Sequence, residues 1–157
     1  MSKEKILVID DEKNIRNNLS KCLSPNYKVT TAVNGEEGLK LFEENEFDLI
    51  LLDMKLPGIG GIEVLSEIKD KDESAIVIMI TGYGTVETAV KTMKLGAVDY
   101  LRKPFNCDEI EAVVKNVLKR KGKELREEEL TSYEEFVDFA KSCIVKKQFS
   151  KAEKYLN

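Results

Sequence analysis

Phe47-Asp48-Leu49-Ile50-Leu51-Leu52-Asp53 is a continuous apolar run closed by a single carboxylate. A run this short and this apolar suits a strand buried on both faces of a parallel sheet. Met54-Lys55-Leu56-Pro57-Gly58-Ile59-Gly60-Gly61 then breaks it, because Pro and Gly punctuate regular structure. Asp53 is therefore expected at the carboxyl end of a central strand, where open α/β sheets place their sites. Taken alone, the stretch equally allows Asp53 to do no more than cap the following turn.

The neighbouring segments alternate in the same manner. Upstream, residues 5–9 read as a buried strand ended by Asp10-Asp11-Glu12. Ile15, Leu19, Cys22 and Leu23 recur at helical spacing until Ser24-Pro25-Asn26 stops the helix. A short strand over 27–31 comes next, then a helix opened by Asn34 or Gly35 with Leu39 and Phe42 facing inward. Downstream, Ile62, Leu65 and Ile68 mark a third helix, and residues 75–80 a fourth strand running into Thr81-Gly82-Tyr83-Gly84. Val86, Ala89, Val90 and Met93 mark a fourth helix closed by Gly96, and residues 98–101 a fifth strand ended by Lys103-Pro104. Ile110, Val113, Val114, Val117 and Leu118 form the clearest amphipathic stripe. Five β-α repeats at this pitch predict an α/β doubly wound parallel sheet with helices on both faces. Right-handed crossovers then favour the five-stranded flavodoxin-like order 2-1-3-4-5.

Composition narrows the chemistry. The 157 residues suit one domain with an appendage, and 42% apolar content supports a real core. A formal net charge of -4, with both signs interspersed, argues against a general nucleic-acid-binding surface. No apolar run approaches membrane-spanning length, and residues 1–5 carry no signal-peptide pattern, so a cytoplasmic location is expected. Cys22, Cys107 and Cys143 are far apart in sequence, which indicates neither a disulfide framework nor a zinc knuckle. Each is expected to be a small apolar filler, in keeping with a reducing compartment. Histidine is absent, which removes Ser-His-Asp and Cys-His mechanisms and imidazole metal ligation.

The predicted topology brings Asp10-Asp11, Asp53, Thr81 and Lys103 to one crevice at the strand ends. Each has a plain alternative: helix N-cap chemistry for the acidic pair, a turn hydroxyl for Thr81, a solvated lysine for Lys103. Coincidence of all four at strand ends is the weaker explanation. Three carboxylates together repel, and a hard divalent cation with oxygen ligands resolves the repulsion. Mg2+ is the expected ion, with Asp11 and Asp53 as direct ligands and Asp10 assisting directly or through water. Lys103 supplies a compact mobile cation, Thr81 a hydroxyl donor, and Gly82 room for an incoming group. Such a crevice suits phosphoryl transfer, which is mostly positioning and charge neutralisation, with Asp53 as the acceptor of an acyl phosphate.

These residues resemble the receiver domain of two-component response regulators over about residues 4–121. The resemblance is carried by Asp10-Asp11, Leu51-Leu52-Asp53, Leu56-Pro57-Gly58-Ile59-Gly60-Gly61, Thr81-Gly82-Tyr83-Gly84 and Tyr100-Leu101-Arg102-Lys103-Pro104-Phe105. Residues 81–105 look most similar to receivers of the nitrogen-regulator type, which sit in front of ATPase domains. The resemblance implies a histidine kinase as phosphoryl donor to Asp53. It also implies Mg2+ held by Asp11, Asp53 and the backbone carbonyl of Lys55, and phosphate oxygens contacted by Thr81 and Lys103. Thr81 would move toward the phosphate and Tyr100 turn inward behind it, shifting the face formed by the fourth helix, fifth strand and fifth helix. That face is one through which receivers often form phosphorylation-dependent homodimers. The Lys103-Pro104 bond is often cis in the family. Lys55 and Tyr83 would tune hydrolysis of the phosphoaspartate, with slow-to-moderate autodephosphorylation expected.

The remainder departs from those relatives, since no Gly-x-x-x-x-Gly-Lys loop occurs. We divide the chain into a receiver domain at 1–121, a linker or helix extension at 122–132 and a helical hairpin at 133–157. In the hairpin, Phe136, Phe139, Ala140 and Cys143 line one face, and Ala152, Tyr155 and Leu156 the next. The segment is weakly similar to a truncated tetratricopeptide repeat. One partial repeat cannot bury its own face, so a longer protein that binds a downstream protein partner through this end is expected; the alternative is a plain hairpin docked on the receiver. The leading reading is a signalling switch that catalyses only its own phosphorylation and dephosphorylation. The alternatives are a phosphorylation-independent adaptor and an aspartyl-phosphate phosphatase of haloacid-dehalogenase type, although the latter resemble Asp-x-Asp where this chain has Asp10-Asp11.

Overall fold

The computed structural model describes residues 3–82 and 84–121. Five strands, β1 (Lys5–Ile9), β2 (Lys28–Ala32), β3 (Leu49–Asp53), β4 (Val77–Thr81) and β5 (Asp99–Arg102), alternate with five helices. The helices are α1 (Lys13–Leu23), α2 (Gly35–Glu44), α3 (Gly61–Lys71), α4 (Val86–Lys94) and α5 (Cys107–Lys121). All strands pair in parallel in the order β2-β1-β3-β4-β5, as the alternation predicts. The fold is the flavodoxin-like doubly wound sheet.

The two-residue period of the strands sorts their apolar side chains onto both faces. Leu7, Ile9, Ile50, Leu52, Val77 and Met79 join Val64, Leu65 and Ile68 of α3 and Met93 of α4 in one core. Ile6, Val8, Leu49, Leu51, Ile78 and Ile80 join Leu19 and Leu23 of α1 and Ile110, Val114 and Val117 of α5 in the other. Both faces need oil-like residues, so the central strands cannot alternate with polar ones; this is the physical origin of the continuous run at 49–52. β2 lies at the sheet edge and is only partly buried, which its Lys28-Val29-Thr30-Thr31 sequence tolerates.

Helix starts obey local chemistry. The Asn34 side chain accepts from the Glu37 amide at 2.8 Å and fixes Asn34, rather than Gly35, as the N-cap of α2. Thr85 and Thr88 form a reciprocal capping box at α4. The N-cap of α1 is Glu12, so the capping alternative for Asp10-Asp11 does not hold. The Lys103–Pro104 peptide is cis.

One expectation fails. Cys22 and Cys107 are not separate apolar fillers: they form a disulfide across 85 positions of sequence, with Cα atoms 5.3 Å apart. The reason is topological. The crossovers lay α1 and α5 side by side on the same face of the sheet, so sequence distance says nothing about spatial distance. Cys22 does fill that core, at 8% exposure, but cysteine usage no longer argues for a reducing compartment. Cys143, the 122–132 linker and the 133–157 hairpin lie outside the described residues, as does Tyr83. Among the described residues, no helix is long and apolar enough to cross a membrane.

Candidate functional site

The register places Asp53 at the last position of β3 and Thr81 at the last position of β4, one residue deeper in the sheet than the sequence boundaries implied. Asp10 comes directly after β1, and Lys103 directly after β5. Asp10, Asp53 and Thr81 are buried, at 1%, 4% and 1% exposure. Buried carboxylates must find partners or change protonation, and each of these does so in its own way.

Lys103 is the hub. Its ammonium lies 2.9 Å from Asp10 Oδ2, 3.2 Å from Glu12 Oε1 and 3.5 Å from Asp53 Oδ2. Burial works against its charge, but Asp10 foremost, then Asp53 and Glu12, overcome this and hold its pKa above the usual lysine value. Its backbone is tied down as well, since the Lys103 amide donates to the Thr81 carbonyl at 2.7 Å. Asp10 Oδ1 accepts from the Glu12 amide at 2.9 Å, and Arg16 donates to the Asp10 carbonyl at 2.8 Å, which fixes the turn between β1 and α1. Asp53 Oδ1 accepts from the Lys55 amide at 3.3 Å. Asp53 thus does bond into the following turn, in addition to facing the crevice.

Oxygen atoms of Asp10, Asp11, Glu12 and Asp53 lie within 4.8 Å of one another. Four carboxylates against one lysine leave the pocket strongly negative. Burial first, and Asp10 second, push the Asp53 carboxyl up to about 6, with Lys103 and the Lys55 amide only partly offsetting them. Clustered hard oxygen donors with excess negative charge fit a Mg2+ ion, which takes one or two carboxylates and keeps several waters. Asp11 and Glu12 are exposed at the mouth, so the pocket opens to solvent on the side where a water-rich ion and a phosphate would enter.

Tyr100 lies on β5 with its ring against the core under α3 and α4. Its hydroxyl is buried and, among the described residues, makes no hydrogen bond of ordinary geometry. Burial raises the phenol pKa, tempered by the nearby Thr88 and Thr81 hydroxyls and by Arg102. The hydroxyl rests against Gly84, where a Cβ would overlap it; such a Cβ would also stand 3.2 Å from the ring carbon Cζ. Gly61, at the start of α3, permits a second close approach. A Cβ there would run into the Asp53 carbonyl and stand 2.7 Å from Met54 Cα, so the helix seats directly on the backbone of the strand end.

The structure therefore brings together Asp10, Asp11, Asp53 and Lys103, with Thr81 and Tyr100 on the adjoining strands. The sequence reading missed Glu12, Gly61 and Gly84. Glu12 had a signal, as the third member of the acidic run; the two glycines read only as turn punctuation.

A doubly wound sheet with an acidic, lysine-crossed pocket at its strand ends defines a class of phosphoryl-handling signalling domains. The family model for the response regulator receiver domain matches residues 6–115, and the chain belongs to that family. It is 41% identical over 132 residues to the probable transcriptional regulator ycf27 of Guillardia theta, covering 83% of this chain and 52% of that one. It is 40% identical over 123 residues to sporulation initiation phosphotransferase F of Bacillus subtilis, covering 78% of this chain and 99% of that one. The chain thus spans about half the length of the first relative and nearly all of the second. Among solved structures, a CheY-like receiver domain from Methanospirillum hungatei superposes with TM-score 0.75 at 32% identity, covering 78% of this chain and 98% of that one. NtrX from Brucella abortus gives TM-score 0.72 at 34% identity, covering 75% and 28%, so receivers of nitrogen-regulator type stand among the similar structures. TrrA from Thermotoga maritima, in complex with Mg2+ and beryllofluoride, gives TM-score 0.67 at 41% identity, covering 73% and 98%. Receiver domains bind Mg2+ at an acidic pocket, take a phosphoryl group from histidine kinases, and act as signalling domains rather than classical enzymes. The tetratricopeptide-like expectation gains no support, since the family match ends before that segment.

Proposed function

We propose that this chain is a phosphorylation-controlled switch in which Asp53 accepts the phosphoryl group of a partner histidine kinase. The observation that carries this reading is the pairing of a buried Asp53 carboxylate with the Lys103 ammonium 3.5 Å away, inside a cluster of four carboxylates. In the transfer, an Asp53 carboxylate oxygen attacks phosphorus, the O–P bond forms, and the bond from phosphorus to the donor imidazole nitrogen breaks. Asp10, Asp11, Asp53 and the Lys55 backbone carbonyl would hold Mg2+, which supplies positive charge to the transferring oxygens when bound. Lys103 neutralises a second phosphate oxygen, releasing part of its hold on Asp10 and Glu12 to do so. Thr81, at the end of the neighbouring strand, donates its hydroxyl to a third.

The signal leaves through α4, β5 and α5. Thr81 drawn toward the phosphate changes the space beside Tyr100, and phosphorylation shifts the population between two arrangements of that face. Lys55 and Tyr83, as the resemblance to receivers implies, set the lifetime of the phosphoaspartate. A downstream protein, or a second copy of the chain, reads the shifted face.

Acetyl phosphate with Mg2+ tests the reading. One phosphoryl group on Asp53, lost in Asp53→Asn, is the expected result. Continuous release of phosphate would favour a phosphatase, and no uptake would favour a phosphorylation-independent adaptor.

A further inference from the structure

Cys107 is the first residue of α5, exposed to solvent, while its partner Cys22 in the last turn of α1 is 8% exposed. The 5.3 Å separation of their Cα atoms lies inside the range, about 4.4–6.8 Å, that a disulfide spans without moving the backbone. The helices do not depend on the bond to meet. Leu19, Leu23, Ile110, Val114 and Val117 pack them together, and Cys22 fills its share of that core whether bonded or not. A cross-link between helices that also pack through their own apolar side chains, with one of its two cysteines an exposed residue, is chemically suited to reversal.

We propose that Cys22 and Cys107 form a reversible thiol–disulfide modification site, exchanging with low-molecular-weight disulfides, that sets how freely the start of α5 can move. In the forward direction, the Cys107 thiolate attacks the small disulfide, whose S–S bond breaks to release one thiol and leave a mixed disulfide on Cys107. The Cys22 thiolate then attacks the Cys107 sulfur and releases the second thiol. Two protein thiols are oxidised, one small disulfide is reduced to two thiols, and the two protons pass to solvent and the leaving thiolates. Entry through Cys107 is dictated by exposure, since Cys22 is covered by its own helix and by α5.

The consequence for signalling rests on the proposed switch. Only Pro104, Phe105 and Asn106 separate Lys103 from Cys107, and Cys22 lies on the helix that begins beside Asp10, Asp11 and Glu12. The Asp10–Lys103 ion pair already joins these two arms of the chain at the pocket. The disulfide joins them a second time, at α1 and α5. Closing that second link restrains α5, an element of the face that has to shift, and so disfavours the phosphorylated arrangement.

The full chain carrying Cys143→Ser, which leaves only these two thiols, provides the test. It is equilibrated in buffers of stepped glutathione-to-glutathione-disulfide ratio, trapped with iodoacetamide and weighed by mass spectrometry. The expected product is an internal disulfide, two hydrogens lighter than the dithiol and restored by excess glutathione. Under acetyl phosphate and Mg2+, the oxidised form is expected to label about threefold more slowly than the reduced form. Cys107→Ser should label at the reduced rate in both buffers. Two alkylated cysteines under excess glutathione disulfide, or only a glutathione adduct on Cys107, would overturn the site. An internal disulfide with equal labelling rates would overturn its link to signalling. No labelling in either form would instead overturn Asp53 as acceptor, and the mass measurement would still decide the thiol chemistry.

Discussion

Replacing Asp53 by asparagine should stabilise the metal-free protein at neutral pH, even as it removes the proposed phosphoryl acceptor. The folded chain raises the Asp53 carboxyl from 3.8 to about 6, through burial and the neighbouring Asp10. A shift of this size corresponds to about 3 kcal/mol between the two protonation states, an upper figure for what the charge takes from the fold. The folded state binds the extra proton between those two pH values, so its stability falls as pH rises through them. Below about pH 4 both the folded and unfolded carboxyls are neutral, and asparagine should make little difference. Above about pH 7 the full effect is present, and Asp53→Asn should be the more stable by about 2–3 kcal/mol. Urea denaturation of both proteins in EDTA, at steps from pH 4 to pH 8, measures the gap. Mg2+ should then raise the wild-type midpoint and narrow it. A variant that is less stable at neutral pH, or a gap that does not change with pH, would refute the claim that this carboxylate is held against its own charge.

The geometry sets three further outcomes. Gly84→Ala places a Cβ where the Tyr100 hydroxyl rests, and the flexible end of the tyrosine is the part that must yield; spectrophotometric titration should find its raised phenol pKa moved back toward 10. Gly82→Ala, where a Cβ meets nothing within 4 Å, should leave that titration unchanged. Lys103→Met strips the buried Asp10 of its cation and should lower stability at pH 7 by about 3–5 kcal/mol in EDTA, as loss of one partner of a buried pair does. Mg2+ should recover part of that loss, and equal stabilities in the two buffers would contradict it. Gly61→Ala drives a methyl into the backbone of Asp53 and Met54, which cannot swing aside as a side chain can. A loss of about 1–3 kcal/mol is expected on thermal or urea unfolding, and a neutral substitution would mean that α3 seats less closely than described.

Most of the sheet was legible because its physics is local. An apolar run flanked by glycine, proline or acidic residues is a strand in a sheet covered on both faces, and five of them separated by helical spacing leave few arrangements. Asp10, Asp11, Asp53 and Lys103 could be brought together from sequence because strand ends converge once the order is known. Boundaries slipped by a residue or two where pairing, rather than propensity, decides them: β4 starts at Val77, although Ala75 and Ile76 are as apolar as the strand itself. Glu12 was missed because its part depends on where one lysine ammonium comes to rest. The Cys22–Cys107 bond was missed because helix neighbours are fixed by the packing of α1 against α5, which no spacing encodes. Gly61 and Gly84 matter because of the atoms a methyl would strike there, and that is a property of the assembled backbone alone.

The pocket takes its side chains from the ends of β1, β3 and β4 and from the residue after β5, with nearly a hundred positions between the first and the last. No fragment of the chain can own it. The mutual repulsion of its carboxylates needs only β1 and β3 side by side, whereas the lysine that offsets it arrives with the residue after β5, when the last strand is in place. A copy without β4 and β5 in place therefore holds the repulsion and none of the relief, so the pocket is complete only when the whole sheet is present.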